Sequence, residues 1–140
     1  MTTLVNYISV NGTVIQGKKR GRELGVRTAN IEVSDALVNS DLTFGVYAVK
    51  ISVETGKAYY GVANFGVKPT FSSNTNSLEV HLFDFNGDLY GRNVSVEFRR
   101  FIRPEICFDN SSHLKEQILK DLSLVREYFS NESNHLLTED

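Results

Sequence analysis

The sequence predicts a mainly β domain, a sandwich or a barrel, closed off by one C-terminal α-helix. Segments of roughly 6–10 residues with alternating or continuous apolar character recur as far as residue 102, separated by clusters of Gly, Asn, Asp and Ser. Nine Phe and six Tyr stand against one Met and no Trp, among many β-branched residues, a composition that favours strands. After Pro104 the apolar period lengthens to that of a helix. The segments are too closely spaced for helical crossovers between parallel strands.

Strands are expected near 5–15, 28–33, 44–53, 58–67, 77–85 and 93–102. In the first, Asn11-Gly12 reads equally as a turn or as a bulge inside one bent strand. Glu54-Thr55-Gly56-Lys57 closes a hairpin between the third and fourth. Asn86-Gly87-Asp88 is the clearest turn, a tight hairpin between LEVHLFDF and LYGRNVSVEF. The helix is marked by Leu114, Ile118, Leu122, Val125 and Phe129, one apolar stripe, with Asn110, Ser111 and Ser112 as N-cap candidates. These elements form one domain over residues 1–130, and 131–140 form a polar, fraying tail.

With 140 residues the chain is long enough to bury a core without disulfides or a structural metal. The lone Cys107 has no intrachain partner and reads as a small core residue, and His81, His113 and His135 give no metal-ligand spacing. A net charge of -2 argues against nucleic acid as the main partner. No basic n-region precedes an apolar segment, and no apolar run approaches the roughly 18 residues of a membrane span, so a cytoplasmic protein is expected.

Three segments carry chemistry. Gly17 to Arg27 (GKKRGRELGVR) holds three glycines and five basic residues, which together offer close backbone approach, N–H donors and positive charge to a phosphate chain. It lacks the Gly-Lys-Ser/Thr ending of a P-loop. Thr28 and Asn30 lie two apart at a strand start and share a face, where a hydroxyl and an amide oxygen suit Mg²⁺ bridging phosphates. The ordinary role of such a pair is backbone hydrogen bonding at a turn. In Leu78–Phe85, Leu78, Val80 and Leu82 face the core, while Glu79, His81 and Phe83 take the opposite face, leaving one carboxylate in an otherwise apolar strand as a candidate base. His81 reads as a structural hydrogen-bonding residue.

Together these segments resemble the riboflavin kinase (flavokinase) family. The pattern Gly-Arg-x-Leu-Gly-x-Pro-Thr-Ala-Asn is met by Gly21 to Asn30 at all positions but one, where Arg27 replaces proline. Gly45-Val46-Tyr47-Ala48, Gly61 to Phe71 (GVANFGVKPTF), Leu78 to Gly91 and Phe101-Ile102-Arg103-Pro104-Glu105 follow in order, so that the resemblance covers about residues 5–130. It implies a six-stranded antiparallel Greek-key β-barrel with a C-terminal α-helix, binding Mg-ATP and riboflavin on opposite sides of one cleft and making FMN. By the same resemblance Gly17, Gly21, Leu24, Gly25, Thr28 and Tyr90 would contact the nucleotide, Thr28 and Asn30 the Mg²⁺, Glu79 would be the catalytic base, and Arg103, Glu105 and Phe108 would form the flavin side.

Bacterial members often carry an adenylyltransferase module that converts FMN to FAD, so fusion to such a module, or separation from one, belongs to the same expectation. A non-catalytic flavin- or nucleotide-binding regulatory paralogue is the alternative, against which Glu79, Thr28 and Asn30 argue. A barrel binding single-stranded nucleic acid is disfavoured, because the basic residues cluster in one loop instead of lining a groove. Arginine at position 27 loosens the approach that aims Thr28 and Asn30, unless the surrounding barrel imposes the same backbone. Strand alternation turns Arg27 away from that pair.

Overall fold

Alternation along each strand sets one face against a common core. The computed structural model describes residues 7–15, 27–32, 42–69, 74–106 and 110–138. Among these residues six strands are present, β1 (Ile8–Ile15), β2 (Ala29–Ile31), β3 (Gly45–Val53), β4 (Ala58–Pro69), β5 (Asn74–Leu82) and β6 (Asn93–Arg103), followed by the helix α1 (Ser111–Thr138). All pairings are antiparallel and the sheet closes on itself in the order β1-β2-β5-β4-β3-β6. β3, β4 and β5 are consecutive neighbours and β6 returns beside β3, which is a Greek key.

The barrel interior is filled by alternate residues, with Val49, Ile51, Phe65, Leu78, Val80 and Val96 the most deeply buried. Each such side chain contributes roughly 1.5–3 kcal/mol, which holds register as well as stability. Asn11-Gly12 is neither turn nor bulge. β1 runs straight through it, paired Asn11 to Ser95 and Gly12 to Val94. Glycine is required there because a Cβ would lie 2.6 Å from both the Glu32 carbonyl oxygen and Ile31 Cγ2.

The Glu54–Lys57 hairpin forms as expected, closed by Val53 N–H to the Lys57 carbonyl and Gly56 N–H to the Val53 carbonyl, both 2.8 Å. Asn86-Gly87-Asp88 differs. It lies in the connection from Phe83 to Arg92, and β5 and β6 are not neighbours, so no tight hairpin forms. Phe85 and Leu89 pack against the core, carrying the connection across the barrel end, and Val14 N–H bonds the Arg92 carbonyl at 2.9 Å.

β6 contains two register shifts against β3: Val49 pairs with Phe98, Ala48 with Arg100, Tyr47 with Phe101 and Val46 with Arg103. The extra residues break the alternation. Ile102 consequently packs on the outer cluster with α1, and Arg103 reaches the helix.

Helix α1 covers the outer face of β3 and β4. Val125 and Phe129 pack with Ala48 and Phe83, joined by half-buried Leu122, and the Phe129 ring stacks on Tyr60 at 4.0 Å. Asn110 is the N-cap: its Oδ1 accepts from His113 N–H at 2.9 Å. The helix continues to Thr138, where a polar tail is expected, since no proline or glycine interrupts residues 131–138.

Two ionic contacts fasten the helix to β6. Arg103 Nε and Nη2 donate to the buried Asp121 carboxylate at 3.0 and 2.7 Å, and Gln117 Nε2 donates to the same group at 3.0 Å. Further along, Arg99 bridges Glu97 and Glu132, the latter at 2.8 Å, with its guanidinium 4.6 Å from the Tyr7 ring centroid.

Asp121→Ala leaves the Arg103 guanidinium, with 16% of its side chain exposed, without its counter-charge. The expected loss is about 3–5 kcal/mol in chemical denaturation, recovered in large part when Arg103→Met is added. Burial, and then a hydrogen bond to Glu132, push the Tyr128 phenol up to about 12. The folded state therefore favours the protonated phenol, a stabilisation intact below the ordinary value of 10.0 and lost as pH rises through about 12. Ultraviolet titration should show late-titrating tyrosine absorbance that shrinks by one phenol in Tyr128→Phe while the buried Tyr47 remains, with a shallower alkaline fall in stability.

Candidate active site

Barrel closure places one row of outward side chains side by side. Ile15 pairs with Asn30, Asn30 with Glu79, Glu79 with Asn64, Asn64 with Val46 and Val46 with Arg103. Direct antiparallel partners share a face with Cβ atoms about 4.5–5.5 Å apart. Their neighbours Ala29, Ile31, Leu78, Val80, Ala63 and Phe65 point inward, so Asn30, Glu79 and Asn64 form a polar strip on the outside of β2, β5 and β4.

Each end of that strip meets a structural feature. Ile15 and Arg27 are the described residues flanking the glycine-rich basic segment, so the roots of that segment lie beside Asn30. Tyr90, 58% exposed, precedes Gly91, whose N–H bonds the Val14 carbonyl at 2.9 Å, so it flanks the same root. Its own N–H bonds Asp88 Oδ1 at 2.9 Å.

At the other end, the Glu105 carboxylate lies over Gly66, two residues along β4 from Asn64. A Cβ on Gly66 would meet Glu105 Oε1 at 1.8 Å, so the absence of a side chain makes room for that carboxylate. Arg103 spends its guanidinium on Asp121 and on the Pro104 carbonyl, 3.0 Å from Nη1, which fixes the segment carrying Glu105.

His81 sits one outward step along β5 from Glu79, opposite Val62, and its Nδ1 donates to the Arg27 carbonyl at 2.7 Å. Arg27 is thus held by its backbone, ahead of exposed Thr28. Phe83 takes the outer face and is buried under α1.

Near Glu105 the barrel mouth is apolar. Phe44, Val67, Phe101 and Ile106 are 40–49% exposed, Phe44 packs on Phe65 at 4.9 Å and Phe101 on Tyr47 at 5.2 Å. Burial pushes the Tyr47 phenol up, only partly offset by its hydrogen bond to the Thr43 carbonyl.

Among the described residues no group of three or more His, Cys, Asp or Glu is placed to hold a metal. The strip instead offers hard oxygens of mixed type, the Asn30 amide and Glu79 carboxylate with the Thr28 hydroxyl near by. Mg²⁺ bound mainly through substrate phosphates needs only one or two such protein ligands. No helix among the described residues is long and apolar enough to cross a membrane.

The structure therefore brings Asn30, Glu79 and Tyr90 toward one surface, and Glu105 beside its far end. Gly17, Gly21, Leu24, Gly25, Cys107 and Phe108 lie outside the described residues. Sequence reasoning missed Asn64 and the Gly66–Glu105 contact. The signal for Asn64 was its place between the inward residues Ala63 and Phe65.

A small closed Greek-key barrel with a polar strip on its outer face, capped by one helix, defines the class. The chain belongs to the riboflavin kinase family, whose model matches residues 4–129. It is 45% identical over 124 residues to the bifunctional riboflavin kinase/FMN adenylyltransferase of Buchnera aphidicola subsp. Schizaphis graminum, covering 87% of this chain and 39% of that protein. A structure described as a macrolide-efflux protein from Streptococcus pneumoniae superimposes with a TM-score of 0.76 at 32% identity, covering 86% of this chain and 38% of that one. Riboflavin kinase from Trypanosoma brucei shares the fold, with a TM-score of 0.60, 21% identity and coverage of 94% and 88%. The chain thus spans about two fifths of the curated relative, 39% of its length.

Proposed function

We propose that this chain transfers the γ-phosphoryl group of ATP to the 5′-hydroxyl of riboflavin, giving FMN and ADP. The observation that carries the reading is the Asn30–Glu79–Asn64 strip: one carboxylate between two amides, on rigid strands, beside the roots of a basic glycine-rich segment.

The riboflavin 5′-oxygen attacks the γ-phosphorus while the bond to the β–γ bridging oxygen breaks, and ADP leaves with that electron pair. The attacking hydroxyl's proton passes to the Glu79 carboxylate. The transition state spreads charge over the transferred group, so most of the rate comes from in-line positioning and neutralisation, with a base adding typically about 10²–10⁴-fold. Thr28 and Asn30 would hold Mg²⁺, which neutralises phosphate charge when bound. Asn64 flanks Glu79 opposite Asn30. Tyr90 lies on the nucleotide side, and Gly17, Gly21, Leu24 and Gly25 are nucleotide contacts in this reading through the resemblance alone.

The flavin ring takes the apolar mouth near Phe44, Phe101 and Ile106, and Phe108 joins the flavin contacts in this reading through the resemblance alone. Glu105 faces the ribityl chain, and Arg103 acts there by fixing the segment that carries Glu105. A carboxylate in the middle of the strip favours catalysis over a purely binding paralogue. The partners in this reading are riboflavin and ATP with their products, in the cytoplasm, and fusion to an adenylyltransferase module is the wider context.

Chromatography of riboflavin incubated with Mg-ATP should show FMN. Glu79→Gln keeps the side-chain shape and should lower kcat by roughly 10²-fold while riboflavin binding persists. Unchanged turnover would remove Glu79 from the mechanism. Thr28→Ala should raise KM for Mg-ATP several-fold, by about the worth of one hydrogen bond to charge, and leave riboflavin affinity unaltered. Equal loss for both ligands in calorimetry would make Thr28 a packing residue.

A further inference from the structure

We propose that His81 is a positioning residue for the nucleotide side of the site: its Nδ1–H holds the Arg27 carbonyl and thereby sets the direction in which Thr28 presents its oxygen beside the strand-held Asn30. This rests on the reading of Thr28 and Asn30 as groups that meet the metal and nucleotide.

β2 is only three residues long, and its pairing with β5 begins at Ala29. Arg27 and Thr28 therefore precede the ladder, where a backbone has no strand partner to define it. The bond from His81 Nδ1 to the Arg27 oxygen, 2.7 Å long, ties that stretch to a residue 54 positions away. A carbonyl oxygen can only accept, so Nδ1 carries the proton and the ring orientation is defined by the bond.

The ring is also braced from its other side. It meets Phe83 edge-on, with centroids 5.7 Å apart at 75°. Phe83 is buried against Val125 and Phe129 of α1, and the Arg126 guanidinium lies 4.1 Å above its ring. A rigid cluster of β5 and helix thus fixes the imidazole, which in turn fixes the backbone one residue before Thr28.

Arginine leaves φ at position 27 free, whereas proline would hold it near -65°. The His81 bond restrains the same residue at its carbonyl, on the other side of Cα from the φ that a proline ring would fix. In this role His81 acts through the Arg27–Thr28 backbone.

The test compares two variants of similar polarity in the full chain. His81→Asn places an amide N–H where Nδ1 stands, while His81→Gln moves the donor one bond further out. His81→Gln should raise KM for Mg-ATP about three- to tenfold, the range of one net hydrogen bond, with kcat and KM for riboflavin unchanged and His81→Asn close to wild type. Adding Arg27→Pro to His81→Gln should relieve part of the rise, because a fixed φ narrows the conformations open to the carbonyl that has lost its donor. Equal KM for Mg-ATP in the Asn and Gln variants, or a rise that Arg27→Pro does not relieve, would overturn the proposal. Thr28→Ala measured alongside separates the two levels. If it leaves KM for Mg-ATP unaltered, the assignment of the β2 approach to the nucleotide fails; if it raises KM while His81→Gln does not, only the role of His81 fails.

Discussion

Closure of the six-stranded ladder is the constraint on which the rest of the molecule depends. An open sheet tolerates slippage at an edge, but a closed one must match register on every side at once. Leu78 and Val80 are each 1% exposed, and shifting β5 by one residue would put them in water and Glu79 in the core. Their burial, worth roughly 1.5–3 kcal/mol per side chain, outweighs any preference of the intervening polar residue. The position of Glu79 between Asn30 and Asn64 is thus enforced by residues that never touch a ligand.

The helix adds a second layer by two different means. Val125, Phe129, Phe83 and Ala48 supply burial, which is non-directional. The Arg103–Asp121 pair supplies direction. A buried ion pair offers little net stability over apolar residues of similar volume, but its paired hydrogen bonds fix an orientation. Here that orientation sets Pro104 and Glu105 relative to Gly66. The two β6 register shifts are part of the same device, since they turn Ile102 and Arg103 toward α1 after Phe98 has filled the interior and Phe101 has packed on Tyr47.

Most of the fold was legible because each strand buries one face, so alternation reports it directly, as in Leu78-Glu79-Val80-His81-Leu82. Legibility failed where a contact is distant in sequence. Asn11-Gly12 has the local signature of a turn, yet the glycine answers to Glu32 and Ile31 of the neighbouring segment. Asn86-Gly87-Asp88 has the signature of a tight hairpin, yet β5 and β6 pair with other strands. In the site, Glu79 stood out as an acid in an apolar strand, but the neighbourhood of Asn64 and Glu79 depends on the β4–β5 register. The Glu105–Gly66 contact needs the β6 shifts as well, and no local pattern carries it. The resemblance supplied candidate roles for Asn30 and Glu105 but not the contacts by which the barrel places them.

The size of the barrel decides where chemistry can occur. Barrels of about eight strands have interiors just wide enough for side chains, and with six strands the interior is closed by Phe65, Ile51, Leu78 and their neighbours. A ligand must therefore lie on the outer face or across a mouth. The outer face offers rigid, strand-borne oxygens but no walls of its own. α1 and the Arg103–Ile106 segment provide relief on one side, and Ile15 pairs with Asn30 on the other. The division of labour follows from this geometry. Asn30, Glu79 and Asn64 sit on paired strands, while the described ends of the neighbouring connections are held by a few tethers. Arg103 to Asp121 and His81 to the Arg27 carbonyl are two such tethers, and they flank the strip from opposite ends.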